Sequence, residues 1–145
     1  MSYLLDTNIV SDIAKRKDAG LLQWAEQQNP LDLHLSVLSL GEIQQGIHLL
    51  APDDARRAKL EAWLQHDLPA QFAGRLLTVT EGVALAYGEL AAQGRRMGRP
   101  LPVIDGLLLA TARTHGLTLV TRNTGDTDGR GVPVQSPYTG ERPSK

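Results

Sequence analysis

Short apolar runs alternate along this chain with longer stretches whose apolar residues recur at helical spacing. Tyr3-Leu4-Leu5 is the first run; it ends in Asp6-Thr7-Asn8, after which Ile9, Val10, Ile13 and Ala14 follow a helical pattern. A buried strand feeding directly into a helix has this form. The helix is expected to reach about Lys17, with Thr7 or Asn8 as its N-cap and Lys15-Arg16-Lys17 suiting the negative end of its dipole. Gly20 separates it from a second helix, Leu21 to about Gln28, which Asn29-Pro30 ends. Leu33 to Val37 alternates with period two and predicts the second strand. Beyond it, Leu40, Ile43, Ile47 and Leu50 share one face of a helix. Pro52-Asp53-Asp54 opens another, carrying Arg56, Arg57, Lys59, Leu60, Trp63 and Leu64 and stopping at Pro69.

Arg75 to Val79 is a candidate third strand. Thr80-Glu81 caps a helix on which Val83, Tyr87, Leu90 and Ala91 fall at helical spacing, ending in a loop from Gly94 to Pro100. The next helix starts near Pro102, a favoured first-turn residue. Ile104, Leu107, Leu108, Leu109 and Ala112 make it apolar almost all round, as a buried central helix would be. His115-Gly116 caps its end. Leu117 to Val120 is a strand, and Val132-Pro133-Val134 suits an edge strand, where a proline is tolerated. The segment from Ser136 to Lys145 has no core pattern and is expected to be frayed or to lie on the surface. Strands alternating with helices predict a parallel α/β fold.

Composition narrows the class further. At 145 residues the chain suits one domain with a sizeable core. It has no cysteine, which excludes disulfides and thiolate metal sites. Fifteen basic and 16 acidic side chains leave a net charge of −1, so a nucleic-acid partner would have to meet a local patch rather than a global field. Asp6 breaks the only early apolar run and no basic stretch precedes it, which argues against a signal peptide. Leu107 to Ala110, the longest aliphatic run, is too short to span a bilayer. The expectation is a soluble, cytoplasmic protein with no membrane association.

Candidate chemistry lies in the placement of four acids. Asp6 follows the first strand, Glu42 falls in the first turn of the helix after the second, Asp105 in the first turn of the buried helix, and Asp126 after the strand ending at Val120. Each alone has a plainer role. Glu42 completes a capping box with Ser39, Asp105 favours its helix dipole, Asp6 forms a turn with Thr7-Asn8, and Asp126 is a solvated loop acid beside Asp128. Together they stand at matching strand–helix junctions, and in a parallel sheet those junctions line up along one edge. Clustered carboxylates raise one another's pKa unless a cation sits among them. Oxygen donors without His or Cys suit Mg²⁺ or Mn²⁺, which can activate water for phosphoryl displacement. His34, His48, His66 and His115 show no paired metal spacing.

At these residues the chain resembles the PIN-domain family, and within it the VapC-type ribonuclease toxins of bacterial type II toxin–antitoxin pairs. The resemblance rests on Leu4-Leu5-Asp6-Thr7-Asn8, Ser39-x-x-Glu42, Asp105 ahead of Leu108-x-Ala110-Thr111-Ala112, and Leu119-Val120-Thr121-Arg122-Asn123, in order from about Tyr3 to Tyr138. It implies a PIN-like three-layer α/β/α fold over residues 1–135, followed by a tail at 136–145. It also implies metal-dependent RNA cleavage, a homodimer, and a cognate VapB-type antitoxin with which the toxin forms a hetero-oligomer. Asp6, Glu42 and Asp105 become metal-ligand carboxylates and catalytic acids, with Thr7 and Asn8 orienting Asp6 or a bound water, and Thr121 in support. The fourth position is Asp126 or an amide contact from Asn123, because many relatives carry the acid directly after Thr-Arg.

Arg122 beside the site is a candidate for RNA phosphate, as are Arg95, Arg96 and Arg99 in the loop before Asp105; for the last group a solvated loop is the plainer role. Trp24 and Trp63 belong by default to the core, or to an antitoxin groove if exposed. Two competing functions remain. One is a non-catalytic RNA- or protein-binding module. The other is an aspartyl-nucleophile phosphatase, disfavoured because Asn8 stands where such enzymes need a second Asp.

Overall fold

The computed structural model describes residues 1–144. Its five strands are β1 (Tyr3–Leu5), β2 (Leu33–Ser36), β3 (Leu76–Leu77), β4 (Thr118–Val120) and β5 (Val134–Gln135). They form one parallel sheet in the order β3-β2-β1-β4-β5. β1 is the centre, with Leu5 level with Leu35 on one side and Val120 on the other. Period-two alternation sends its side chains to opposite faces. Tyr3 and Leu5 join a core with Ile9, Leu21, Leu35, Ile43 and Phe72, whereas Leu4 joins Val83, Leu90, Leu108 and Leu119. Helices α1 (Thr7–Ala14), α2 (Ala19–Gln27), α3 (Val37–His48), α4 (Arg57–Ala62) and α5 (Leu68–Gln71) serve the first core; α6 (Glu81–Arg96) and α7 (Val103–His115) cover the other face. The three-layer α/β/α expectation is met.

This strand order fixes where a site can form. From β1 the chain moves outward to β2 and β3, then returns to the other side of β1 as β4. The carboxyl ends of β1 and β4 therefore flank a switch point, where loops diverge and leave a crevice. Asp6 follows β1, and Thr121 follows β4.

Several boundaries differ from those expected, each for a non-local reason. Asp6, not Thr7 or Asn8, caps α1, accepting a hydrogen bond from Thr7 N. That helix ends at Ala14 rather than near Lys17, because Arg16 takes a left-handed conformation (φ 51°) that turns the chain. Asp18 caps α2, so Gly20 lies inside its first turn instead of separating two helices. A Cβ at Gly20 would come within 2.3 Å of Thr139 Cγ2, so the C-terminal segment packs too close for any side chain there. Ser36 caps α3, which removes Ser39 and Glu42 from a capping box and places Glu42 in the second turn.

Pro69 does not stop the helical path. A π turn at Trp63–Asp67 precedes it, and the proline occupies the first turn of α5. A wider turn keeps the proline ring off the carbonyl it would strike in a regular α-helix. α6 runs to Arg96 and so takes in Gly94 to Arg96, the first part of the expected loop, while Met97 to Pro100 is loop as expected. The C-terminal segment lies on the surface, and it is pinned. Tyr138 packs against the first core and donates to Asp12 Oδ2 (2.6 Å), while Asp18 accepts from Thr139 N (3.1 Å) and Gly140 N (2.7 Å). Among the described residues, no helix is long and apolar enough to cross a membrane.

Candidate metal-binding active site

Asp6 is the fixed point of the crevice. It is 9% exposed, and each carboxylate oxygen accepts one hydrogen bond: Oδ1 from Thr7 N at 2.7 Å, Oδ2 from the Thr121 hydroxyl at 2.8 Å. β1 and β4 pair side by side, which is why residues following each can meet. Each oxygen keeps a lone pair free for a further partner.

Glu42 is reached through Thr7. The Thr7 hydroxyl lies 2.5 Å from Glu42 Oε1 and 2.9 Å from Ser39 Oγ. It has one proton, and the carboxylate is the stronger acceptor, which leaves the Ser39 hydroxyl to donate back to Thr7. Ser39 is fully buried one turn before Glu42 on α3. Thr7 thus ties α3 to the end of β1, with its N–H on one acid and its hydroxyl on another.

Asp105 stands in the first turn of α7, half-buried. Burial, then the charges of Asp6, Asp126 and Glu42 in that order, push its carboxyl above the ordinary range; Arg130 offsets part of the rise. The four acids singled out in the sequence therefore converge on one electrostatic site. Arg130 is almost fully buried, and its charge reaches both Asp126 and Asp105.

The donor set fits a hard divalent cation. It is all oxygen, it gathers net negative charge, and the elevated proton affinity of Asp105 marks a place where positive charge is favoured. Among the described residues no three acids or imidazoles are gathered as tightly as a metal cage. Asp6, Glu42, Asp105 and Asp126 are the residues that could hold a divalent cation.

The supporting residues divide. Thr7 and Thr121 hold carboxylates, whereas Asn8 is exposed and makes no hydrogen bond to Asp6 among the described residues. Asn123 Oδ1 accepts from Gly125 N at 2.9 Å, a local turn contact, whereas the charge of Asp126, the other candidate for the fourth position, acts on Asp105. Arg122 pairs with the buried Asp12 at 3.4 Å, and half of its side chain remains exposed. Arg95 and Arg96 lie in the exposed last turn of α6, where cations suit the helix dipole. Arg99 donates to the carbonyls of Gly125 (2.9 Å) and Asp128 (3.1 Å).

Sequence reasoning missed Ser39 as a site residue, and also Asp12, Asp18 and Arg130. Each has a partner far along the chain, Thr7 for Ser39, Tyr138 for Asp12, Thr139 for Asp18 and Arg99 for Arg130, and no spacing rule connects those pairs.

A family model described as PIN domain matches residues 3–126. The plasmid stability protein StbB of Pseudomonas syringae pv. tomato is 34% identical over 93% of this chain and 97% of its own length. Toxin FitB of Neisseria gonorrhoeae is 32% identical over 93% and 97%, and a VapC ribonuclease of Sinorhizobium fredii 29% identical over 93% and 96%. Of solved structures, FitAcB from Neisseria gonorrhoeae superposes with a TM-score of 0.85 at 30% identity, covering 93% of this chain and 97% of that one. A toxin–antitoxin complex from Klebsiella pneumoniae gives 0.71 at 27%, covering 94% and 98%.

Proposed function

The chain belongs to the PIN-domain family, and from that premise we propose that it is the ribonuclease toxin of a toxin–antitoxin pair, cleaving RNA with Mg²⁺ or Mn²⁺ at Asp6, Glu42, Asp105 and Asp126. The observation that carries this reading is the convergence of the other three acids on Asp105 at the β1–β4 switch point. The relatives named as a toxin and a ribonuclease supply the substrate class. When bound, a divalent ion would lower the pKa of water and offset charge on the scissile phosphate. The chain's own residues do the rest. Thr7 and Thr121 fix Asp6, and Thr7, backed by Ser39, fixes Glu42. Water adds at phosphorus as the bond to the 3′ oxygen breaks, leaving a 3′-hydroxyl and a 5′-phosphate. Half-exposed Arg122, and Arg95 and Arg96 on α6, are the cations that remain available to RNA phosphates.

The antitoxin is the second partner. A groove of about 800 Å³ runs from Thr7, Asn8 and Glu42 along α1, α3 and α4, floored by Ile43, Ile47, Leu60 and Trp63 and rimmed by Lys15, Arg56 and Lys59. An amphipathic antitoxin helix with acidic flanks suits that surface, and seating it there would cover Glu42 and the Thr7 that holds it. A homodimer, and a hetero-oligomer with the antitoxin, complete the reading.

The deciding experiment is cleavage of total tRNA and ribosomal RNA by antitoxin-free protein, wild type beside Asp105→Asn, with Mg²⁺, Mn²⁺ or chelator. Discrete fragments from wild type with metal alone are expected. Equal results from both folded proteins would refute the nuclease site and leave a binding module.

A further inference from the structure

Two arginines in the crevice are directed at the protein's own backbone. Arg99 lies between α6 and α7, in the connection that launches Asp105. Its two terminal nitrogens donate to the carbonyls of Gly125 and Asp128, on either side of Asp126. Arg130 lies beyond the same loop and is 7% exposed. Its Nε donates to the carbonyl of Asp126 itself at 2.6 Å, and its Nη1 to the carbonyl of Arg99 at 3.0 Å. The two side chains cross between the same pair of segments, so the loop carrying Asp126 is bound from both directions to the connection preceding Asp105.

The packing beneath confirms how closely these parts are fitted. A Cβ on Gly94, in the last turn of α6, would lie 2.7 Å from the carbonyl oxygen of Arg99 and 3.0 Å from Arg130 Nη1. Only glycine lets the helix approach the clamp. Lysine could not replace Arg130 in kind, because one ammonium cannot reproduce a planar fork that reaches two carbonyls set apart in space. Asp126 needs such support. It sits in an exposed loop, where its carboxylate would otherwise be free to drift from Asp105.

We propose that Arg99 and Arg130 are positioning residues that clamp the Asp126 loop against the start of α7, setting Asp126 opposite Asp105 and so completing the divalent-cation site. This rests on the metal-dependent nuclease reading, and it moves Arg99 from the RNA-contacting set to the frame of the site. A phosphate-binding arginine would govern the KM for RNA and leave metal affinity alone. A clamp governs metal affinity when no RNA is present, and only through Asp126.

The test is Mn²⁺ binding without RNA, by calorimetry or by the paramagnetic resonance signal of free Mn²⁺. Wild type is compared with Arg130→Lys, Arg99→Gln, Asp126→Asn and the double variant Arg130→Lys/Asp126→Asn, each checked for folding by circular dichroism. Arg99→Gln keeps the test open if Arg130→Lys does not fold. Arg130→Lys and Arg99→Gln are each expected to bind Mn²⁺ about tenfold more weakly, the scale of an outer-shell loss, Asp126→Asn at least as weakly as either, and the double no more weakly than Asp126→Asn alone. Amide exchange at Gly125 to Asp128 should quicken in both arginine variants. Wild-type affinity in the folded arginine variants, or losses that multiply in the double, would overturn the clamp while leaving the metal site standing. Absence of Asp105-dependent Mn²⁺ binding in wild type would overturn the nuclease reading and the clamp with it.

Discussion

Thr121 offers the sharpest test of how the site is held. Replacing it with valine keeps the shape and removes one donor, the hydroxyl that reaches Asp6 Oδ2 at 2.8 Å. Both residues are buried, at 3% and 9% exposure, so water cannot readily take its place. A hydrogen bond to a charged group contributes about 1.5–3 kcal/mol. For a chain of this size each kcal/mol moves the melting temperature by about 2–4 °C. Thr121→Val should therefore melt about 3–12 °C lower without metal. With saturating wild-type Mn²⁺ the gap should widen. Asp6 would then be held by Thr7 N alone and free to pivot, and loss of such an outer partner costs about 10–100-fold in metal affinity. Tenfold is about 1.4 kcal/mol more. Thr121→Ser, which keeps the hydroxyl, should recover most of both effects. Thermal melts with and without Mn²⁺, alongside calorimetric titration, read the two quantities separately. A variant melting within about 1 °C of wild type, or binding Mn²⁺ as tightly, would refute the view that Thr121 orients Asp6.

Other consequences concern the C-terminal segment. Burial pushes the Asp18 carboxyl up, but backbone donors from Leu21, Thr139, Gly140 and Gly20 outweigh it and hold the group below its ordinary value of 3.8. A depressed native pKa contributes stability that is complete above that ordinary value and is lost as pH falls through the native one. Asp18→Ala should cost about 2–4 kcal/mol at neutral pH, the helix cap plus charged hydrogen bonds. Urea melts from pH 7 to pH 2 should show that gap shrinking only below about pH 4; a gap independent of pH would count against the carboxylate. Burial, then the neighbouring Asp12, push the Tyr138 phenol above its ordinary value, so it stays a neutral donor at any physiological pH. Tyr138→Phe should cost about 1.5–3 kcal/mol and speed amide exchange at Thr139; unchanged exchange would show that the segment is held without Asp12. Leu5→Ala, at the centre of the sheet, should cost about 2–5 kcal/mol by urea melt, and a smaller loss would mean that the core collapses around the cavity.

The layers of the fold were legible because each depends on neighbours in sequence. Tyr3-Leu4-Leu5 is apolar throughout since both faces of β1 are covered, and polar residues begin where the strand leaves the sheet. Boundaries set by distant packing were not legible. Gly20 and Gly94 look like breaks in a linear sequence, yet both lie inside helices, because their missing side chains make room for Thr139 and for the Arg99 carbonyl. A glycine required by close approach and one required by a turn are the same letter. Pro69 likewise reads as a stop, and the π turn before it could not be inferred from composition.

The site divides along the same line. Carboxylates at strand–helix junctions carry a positional signature, since a parallel sheet brings those junctions to one edge whatever the rest of the chain does. What holds them carries none. Thr121 lies 115 positions from Asp6, and Tyr138 lies 126 from Asp12, so no local periodicity links either pair. The same blindness affects the cations. In sequence Arg99 and Arg122 are both basic residues near acids, and Arg122 is set ahead only by its place just past a strand end. In the fold, Arg99 faces two carbonyls of its own chain and Arg122 faces a buried carboxylate while keeping half its surface to solvent. Charge near a nucleic-acid site is therefore no measure of contact with substrate until its hydrogen-bond donors have been followed to their acceptors. For Arg99 those acceptors bracket Asp126, so its loss should first be felt in the cation site rather than in RNA affinity.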